Sequence, residues 1–330
     1  MPPFDERSLV PGPPFDALAS ADFLVPDRDA AVAAVQQALG FVEPKPRWSF
    51  GWPGRGFEVT FCRPTPALRH SPTLVELITD APLDPSRPLT EVVPNVAGLV
   101  ALQGDRPLKT HGAPVGSTDV DDLIERVRGR GLRHWVQPSS RAYPFRRLWM
   151  GINEDGLADY RTGTDGGLML EVVDTRTLGL PEELVADTST GGDRVPVGMV
   201  RTSTRCFLVD DLDRSLGELA ATFDWEPELG PETSENGSRR AVLGVKIARS
   251  ARIELVQPGR GTDEVAYLTR FGPGVWAVRI AVSDLGAKAG DLRARGTPYT
   301  EVRTGFERPQ TVLRVDTAAT PGCLFEFEPV

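Results

Sequence analysis

Apolar residues gather into short runs, and four of these runs end on an aspartate: FLVPD (23–27), PVGSTD (114–119), FLVDD (207–211) and IAVSD (280–284). Beyond each lies a stretch with Leu, Val or Ala at about every third or fourth position, the stripe of a helix lying on a sheet. Each repeat closes on an apolar strand that carries a glutamate: LVELI (74–78), MLEVV (169–173), RIELV (252–256) and LFEFE (324–328). A pattern this long and regular is one supersecondary unit copied. The spacing predicts helices over 29–39, 119–131, 213–224 and 284–296, and Asp119 to Gly131 matches Asp284 to Gly296 in length.

Each unit therefore reads βαβββ, an α+β arrangement. Four units pair into two modules, over 15–178 and 199–330. Residues 1–14 are Pro-rich and expected to be extended or disordered. Segment 81–107 reads as a Pro-bearing connection. Segment 179–198, rich in Gly, Thr, Asp and Pro, reads as the linker between modules.

On the segments VPDRDAAVAAV, DVDDLIERVRGRGL, VDDLDRSLGELAATF and VSDLGAKAGDLRARG, with their closing strands, the chain resembles the vicinal oxygen chelate superfamily. That group includes glyoxalase I, methylmalonyl-CoA epimerase, extradiol dioxygenases and bleomycin-resistance proteins. The likeness spans 15–330. It implies cupped sheets, each built from two units around a cavity. It also implies a divalent metal held by first-strand residues, usually His or Gln seven residues before the Asp, and by the closing-strand glutamates.

Carried onto this chain, those positions are Ser20 with Glu76, Gly112 with Glu171, Thr204 with Glu254, and Ala277 with Glu326. His111 stands beside Gly112, and one extra residue in VGSTD, a bulge, would turn it into the cavity. The resemblance thus implies Glu76, His111 and Glu171 as a metal set in the N-terminal module. Oxygen and nitrogen donors of this kind suit Zn, Ni, Mn, Co or Fe(II). Ser20 is a poor fourth ligand. Strand alternation puts Asp22 on its face, as a further ligand or a base, and Glu171 is a second candidate for proton transfer. All three histidines, His70, His111 and His134, fall in the first module, so no metal is expected in the second. There Arg279 stands on the face of Ala277, placed to bridge Glu254 or Glu326, or to hold a ligand carboxylate or phosphate. His70 reads as a loop residue and His134 as strand surface.

The rings of Trp48, Trp52, Phe57, Tyr143 and Trp149 fall on the middle strands of the first module, as core or as the wall of a substrate pocket. Arg146 and Arg147 flank them as anion anchors. A net charge of −9 gives no footprint for nucleic acid or acidic membranes. The N-terminus has no signal-peptide pattern, and no apolar run is long enough to cross a membrane. The expected setting is therefore cytoplasmic, with a small molecule as partner and a monomer or homodimer as assembly. Three scattered cysteines, Cys62, Cys206 and Cys323, read as buried hydrophobes.

The leading reading is a metal-dependent lyase or isomerase acting in the N-terminal cavity; extradiol cleavage is disfavoured by the missing histidines. The alternatives are a metal-free protein that sequesters an apolar ligand, and a metal-independent catalyst using Arg and Glu.

Overall fold

The computed structural model describes residues 12–44, 49–51, 54–65, 71–86, 94–139, 144–151, 164–179, 198–303, 306 and 310–330. Unit one comprises β1 (Ala17–Leu18), β2 (Ser20–Leu24), α1 (Arg28–Leu39), β3 (Ser49–Gly51), β4 (Arg55–Cys62) and β5 (Leu74–Leu83). A connecting helix α2 (Val96–Gln103) leads to unit two: β6 (Ala113–Ser117), α3 (Val120–Gly129), β7 (His134–Gln137), β8 (Arg147–Met150) and β9 (Leu170–Asp174). Unit three is β10 (Met199–Leu208), α4 (Leu212–Phe223), β11 (Leu229–Thr233), β12 (Arg239–Leu243) and β13 (Arg252–Gln257). After α5 (Asp263–Phe271), unit four is β14 (Gly274–Val282), α6 (Leu285–Ala294), β15 (Tyr299–Arg303), β16 (Thr311–Val315) and β17 (Phe325–Pro329).

The recurring aspartate is a helix N-cap. Asp27, Asp211 and Asp284 have extended backbones and accept the amides of Ala30, Arg214 and Ala287, which satisfies one orphan donor of each first turn. Asp119 occupies the same place without a side-chain cap bond. Two helices fall where the hydrophobic pattern predicts none, and they occupy equivalent places between paired units. VAGLVALQ of α2 is apolar on all sides, so it lacks a stripe to read. Asn95 caps it, as Thr262 caps α5.

In every unit the first strand pairs in parallel with the closing strand. The register sets Asp22 opposite Glu76, Pro114 opposite Glu171, Cys206 opposite Glu254 and Arg279 opposite Glu326. In the C-terminal half, β10 and β14 pair antiparallel and fuse two units into one eight-stranded sheet. The N-terminal half is split instead. The first strand breaks at Ala19, so that β1 joins β6 in a five-stranded sheet while β2 heads a four-stranded one.

The sheet faces away from the glutamates meet each other. Phe23 and Phe41 lie edge-on to Phe325, and Phe15 to Trp225, in one apolar cluster that runs through both halves. Lys288, fully buried, reaches from α6 to the carbonyl of Leu39 at 2.7 Å, and Lys246 pairs with Asp16 at 2.9 Å. Among the described residues no helix is long and apolar enough to cross a membrane.

Candidate functional site

Four ionisable side chains converge in the N-terminal cup: Asp22 from β2, Glu76 from β5, His111 just before β6, and Glu171 from β9. All are buried. His111 reaches the cup by a route other than the expected bulge, because β6 and β9 run in continuous register from Ala113 to Ser117. The irregularity lies at Gly112, whose φ is 151°, and a Cβ there would sit 2.2 Å from the carbonyl oxygen of Met169. Only glycine fits, and its conformation lets the chain turn the imidazole inward.

Asp22 is enclosed by donors. Its Oδ1 accepts the Thr110 hydroxyl at 2.6 Å, and its Oδ2 accepts the His111 amide at 2.7 Å and Nδ1 at 2.9 Å. Arg205 arrives from β10 of the other half, donating to the Asp22 carbonyl and lying 3.5 Å from Oδ1. Burial alone would raise the Asp22 carboxyl, but His111, Arg205 and Thr110 hold it below its usual range. An ionised carboxylate only accepts, so Nδ1 of His111 carries a proton and Nε2 is the atom presented to the cup. Nε2 lies 3.4 Å from Oε2 of Glu171. Burial disfavours the imidazolium, yet the charge and hydrogen bond of Asp22, then Glu171, hold His111 well above its ordinary value. Arg147 pairs with the other oxygen of Glu171 at 2.8 Å, and with His111 it outweighs burial and keeps that carboxyl low.

Glu76 stands apart. The Ser20 hydroxyl donates to it at 2.5 Å, so the residue that is a poor metal ligand serves as a hydrogen-bond donor. Burial pushes Glu76 up to about 7 despite the pull of His111 and Ser20. One carboxyl that exchanges its proton near neutrality therefore lies beside two that stay ionised, the usual means of separating acid from base in one site.

The other expected site residues divide. Arg146 turns outward to Asp121 at 2.5 Å; its neighbour Arg147 is the arginine of the cup. Strand alternation places Arg146 on the other side, which the pair RR does not reveal. Trp149 is wholly enclosed, its indole donating to Gln137 at 3.2 Å, with its ring centre 6.3 Å from that of His111. It stands opposite Glu171 on the cup face, packed on Trp135 beside the imidazole. Phe57 shares the cup face with Phe61 and Glu76, where it packs in the cluster under α2. His134 opens β7 and contacts the Leu132 carbonyl at 2.7 Å. Trp48, Trp52, Tyr143 and His70, and most of 1–14 and 179–198, lie outside the described residues. Thr110 and Arg205 were not among the expected site residues; Arg147 was expected as one of two flanking anion anchors, and it pairs with Glu171. Neither Thr110 nor Arg205 carried a sequence signal.

In the C-terminal cup, Arg279 bridges Glu254 at 2.8 Å and Glu326 at 2.9 Å, as its place beside Ala277 predicts. Arg314 takes the other oxygen of Glu326 at 2.7 Å, and also Glu264; Arg240 joins Glu254 to Glu232. Burial would raise Glu326, but Arg279 and Arg314 hold it low.

For the N-terminal cup the donor chemistry fits a divalent metal. Nε2 of His111 and Oε2 of Glu171, 3.4 Å apart, would be two of the ligands, and Asp22 supports the imidazole from behind as outer partners of metal-bound histidines do. Among the described residues no three His, Cys, Asp or Glu side chains are yet drawn together closely enough to hold an ion; Glu76 would have to close in.

Among solved structures, a mutant of 4-hydroxymandelate synthase from Streptomyces coelicolor superposes over 96% of this chain and 93% of its own, at 15% identity and a TM-score of 0.56. Methylmalonyl-CoA epimerases from Mycobacterium tuberculosis and Streptomyces coelicolor each match 40% of this chain, over 89% and 97% of their own, at 22% identity and TM-scores of 0.36 and 0.35. No family model and no curated protein sequence matches. The chain has the vicinal oxygen chelate fold, with four βαβββ units in two cups.

Proposed function

We propose that the N-terminal cup is the active cavity of a proton-transferring enzyme, a lyase or isomerase of small oxygenated substrates. The observation that carries this reading is the buried juxtaposition of Glu76 with the Asp22–His111–Glu171 array. Asp22 fixes the imidazole and its tautomer and acts as a positioning residue. Glu76, which among the described residues accepts the Ser20 hydroxyl and is not paired with an arginine or imidazole, takes or returns a proton at the substrate carbon. Glu171, paired with Arg147, remains charged and holds the imidazole from its other side.

Glu76, His111 and Glu171 would hold the divalent metal, Zn, Ni, Mn, Co or Fe(II). When bound, it polarises adjacent substrate oxygens as a Lewis acid. Loading it requires Nε2 to give up its proton, so uptake releases a proton and weakens in acid.

Two measurements test this. Protein purified without chelator should carry about one equivalent of metal, lost in His111→Gln; less than about a tenth, unchanged by added Ni, Zn, Mn or Fe(II), overturns the metal part. Wild-type protein in deuterium oxide should exchange the carbon-bound proton of small 2-oxo acids or hydroxyketones, and Glu76→Gln should not. Exchange that survives Glu76→Gln removes the carboxyl from its role.

A further inference from the structure

A fully buried arginine is costly, and Arg205 of β10 has little to offset its burial. It is 1% exposed, and its guanidinium lies 4.5 Å from the ring centre of Phe23 and 5.6 Å from that of Phe207. Nε and Nη1 have no hydrogen-bond partner among the described residues. Its polar contacts there are all to one residue of the other half, the carbonyl and the carboxylate of Asp22. An apolar side chain of the same bulk would serve packing as well or better. Nor do the halves need it to hold together. Lys288 crosses to the Leu39 carbonyl and pairs with Asp291 at 2.9 Å, and Arg126 crosses to the Phe223 carbonyl and Asp224.

We infer that Arg205 is a positioning residue of the N-terminal cup, reaching from the C-terminal half to hold Asp22 against His111. The inference rests on the reading of that cup as the active cavity.

The split of the N-terminal sheet explains why a residue from outside is needed. β2 is the outer strand of its sheet, with a strand partner only in β5, whereas β10 is flanked by both β13 and β14. The Leu24 amide points to the open edge, to the Lys109 carbonyl at 2.9 Å, so the Asp22 carbonyl, two residues back, points there too. Arg205 donates to that carbonyl from beyond the sheet. The segment across the same gap carries Thr110 and His111, which both donate to the Asp22 carboxylate. Arg205 thus ties down the backbone of Asp22 and sets a positive charge beside Oδ1, while Oδ2 aims the imidazole. Without it, Asp22 would be held on this edge only by the groups it has to position.

The readout is the Nδ1 proton of His111, followed by nitrogen-edited NMR in the full-length protein without metal or substrate and assigned by its loss in His111→Gln. Arg205→Met should speed its exchange with water at least tenfold. Arg205→Gln, a polar replacement that remains informative if Arg205→Met fails to fold, should speed it at least threefold. Lys288→Met and Arg295→Ala remove other cations that cross between the halves and should leave the rate within twofold of wild type. A wild-type rate in the Arg205 variants, equal acceleration in Lys288→Met or Arg295→Ala, or no protected Nδ1 proton in the wild type would each overturn the inference. Because neither metal nor substrate is present, failure of the proposed reaction leaves this result readable, and an unchanged rate removes the positioning role without touching that reaction.

Discussion

The two cups share a unit and differ in what stands against the closing glutamates. In the C-terminal half the register places Arg279 directly beside Glu326 on a continuous sheet, and its guanidinium spans to Glu254. In the N-terminal half the corresponding strand begins only at Ala113, and the bend at Gly112 brings in a histidine from outside it. A guanidinium stays charged at all physiological pH, and an imidazole does not. One cup is thereby closed into a permanent ion network. The other keeps groups that can lose or gain a proton, and it does so where the sheet is split.

This contrast is most severely tested by removing each cup's cation. Arg279→Met strands Glu254 and Glu326 beside fewer positive charges in a buried floor and should cost about 3–5 kcal/mol, measured by urea unfolding. A loss below about 1 kcal/mol would show that the network is solvated and not a closed floor. His111→Leu should cost less, about 2–3 kcal/mol, because Arg205 and Arg147 still face Asp22 and Glu171.

Glu76→Gln sharpens the comparison by sign. The unfolded Glu76 ionises near 4.5, whereas in the fold the carboxyl keeps its proton to about 7. Between these values the folded state binds more protons, so the contribution of Glu76 to stability falls as pH rises, and above about 7 the penalty is constant. Glu76→Gln should therefore be more stable than wild type by about 1–3 kcal/mol at pH 8, with the difference shrinking toward pH 4.5 in parallel thermal melts. A difference that is flat with pH removes Glu76 as the titrating group.

The smallest effect concerns the caps. Asp284→Ala should cost about 1 kcal/mol by denaturant midpoint. Asp119→Ala, which breaks no cap hydrogen bond, should stay within about 0.5 kcal/mol.

Much of this was legible along the chain. Asp–helix–Glu periodicity is local physics: a side chain capping a first turn and a stripe packing on a sheet. It located four helices and all four closing glutamates. Arg279 was legible too, since a residue two places along a strand shares a face. The connecting helices were not, because α2 is apolar all round. Nor was the choice of Arg147 over Arg146, or the irregularity at Gly112, since one residue of offset reverses the direction of a side chain.

The sequence by itself determined the four units, their caps and the glutamates that each unit presents, because those depend on spacing within a few turns of chain. Tertiary structure alone decided which charges meet: Arg205 crossing from one half to Asp22 of the other, Met169 forcing glycine at 112, and burial raising Glu76 while its neighbours stay ionised. Coulomb energies and desolvation depend on distance through space and on the exclusion of water, and neither is written in the separation of residues along a chain.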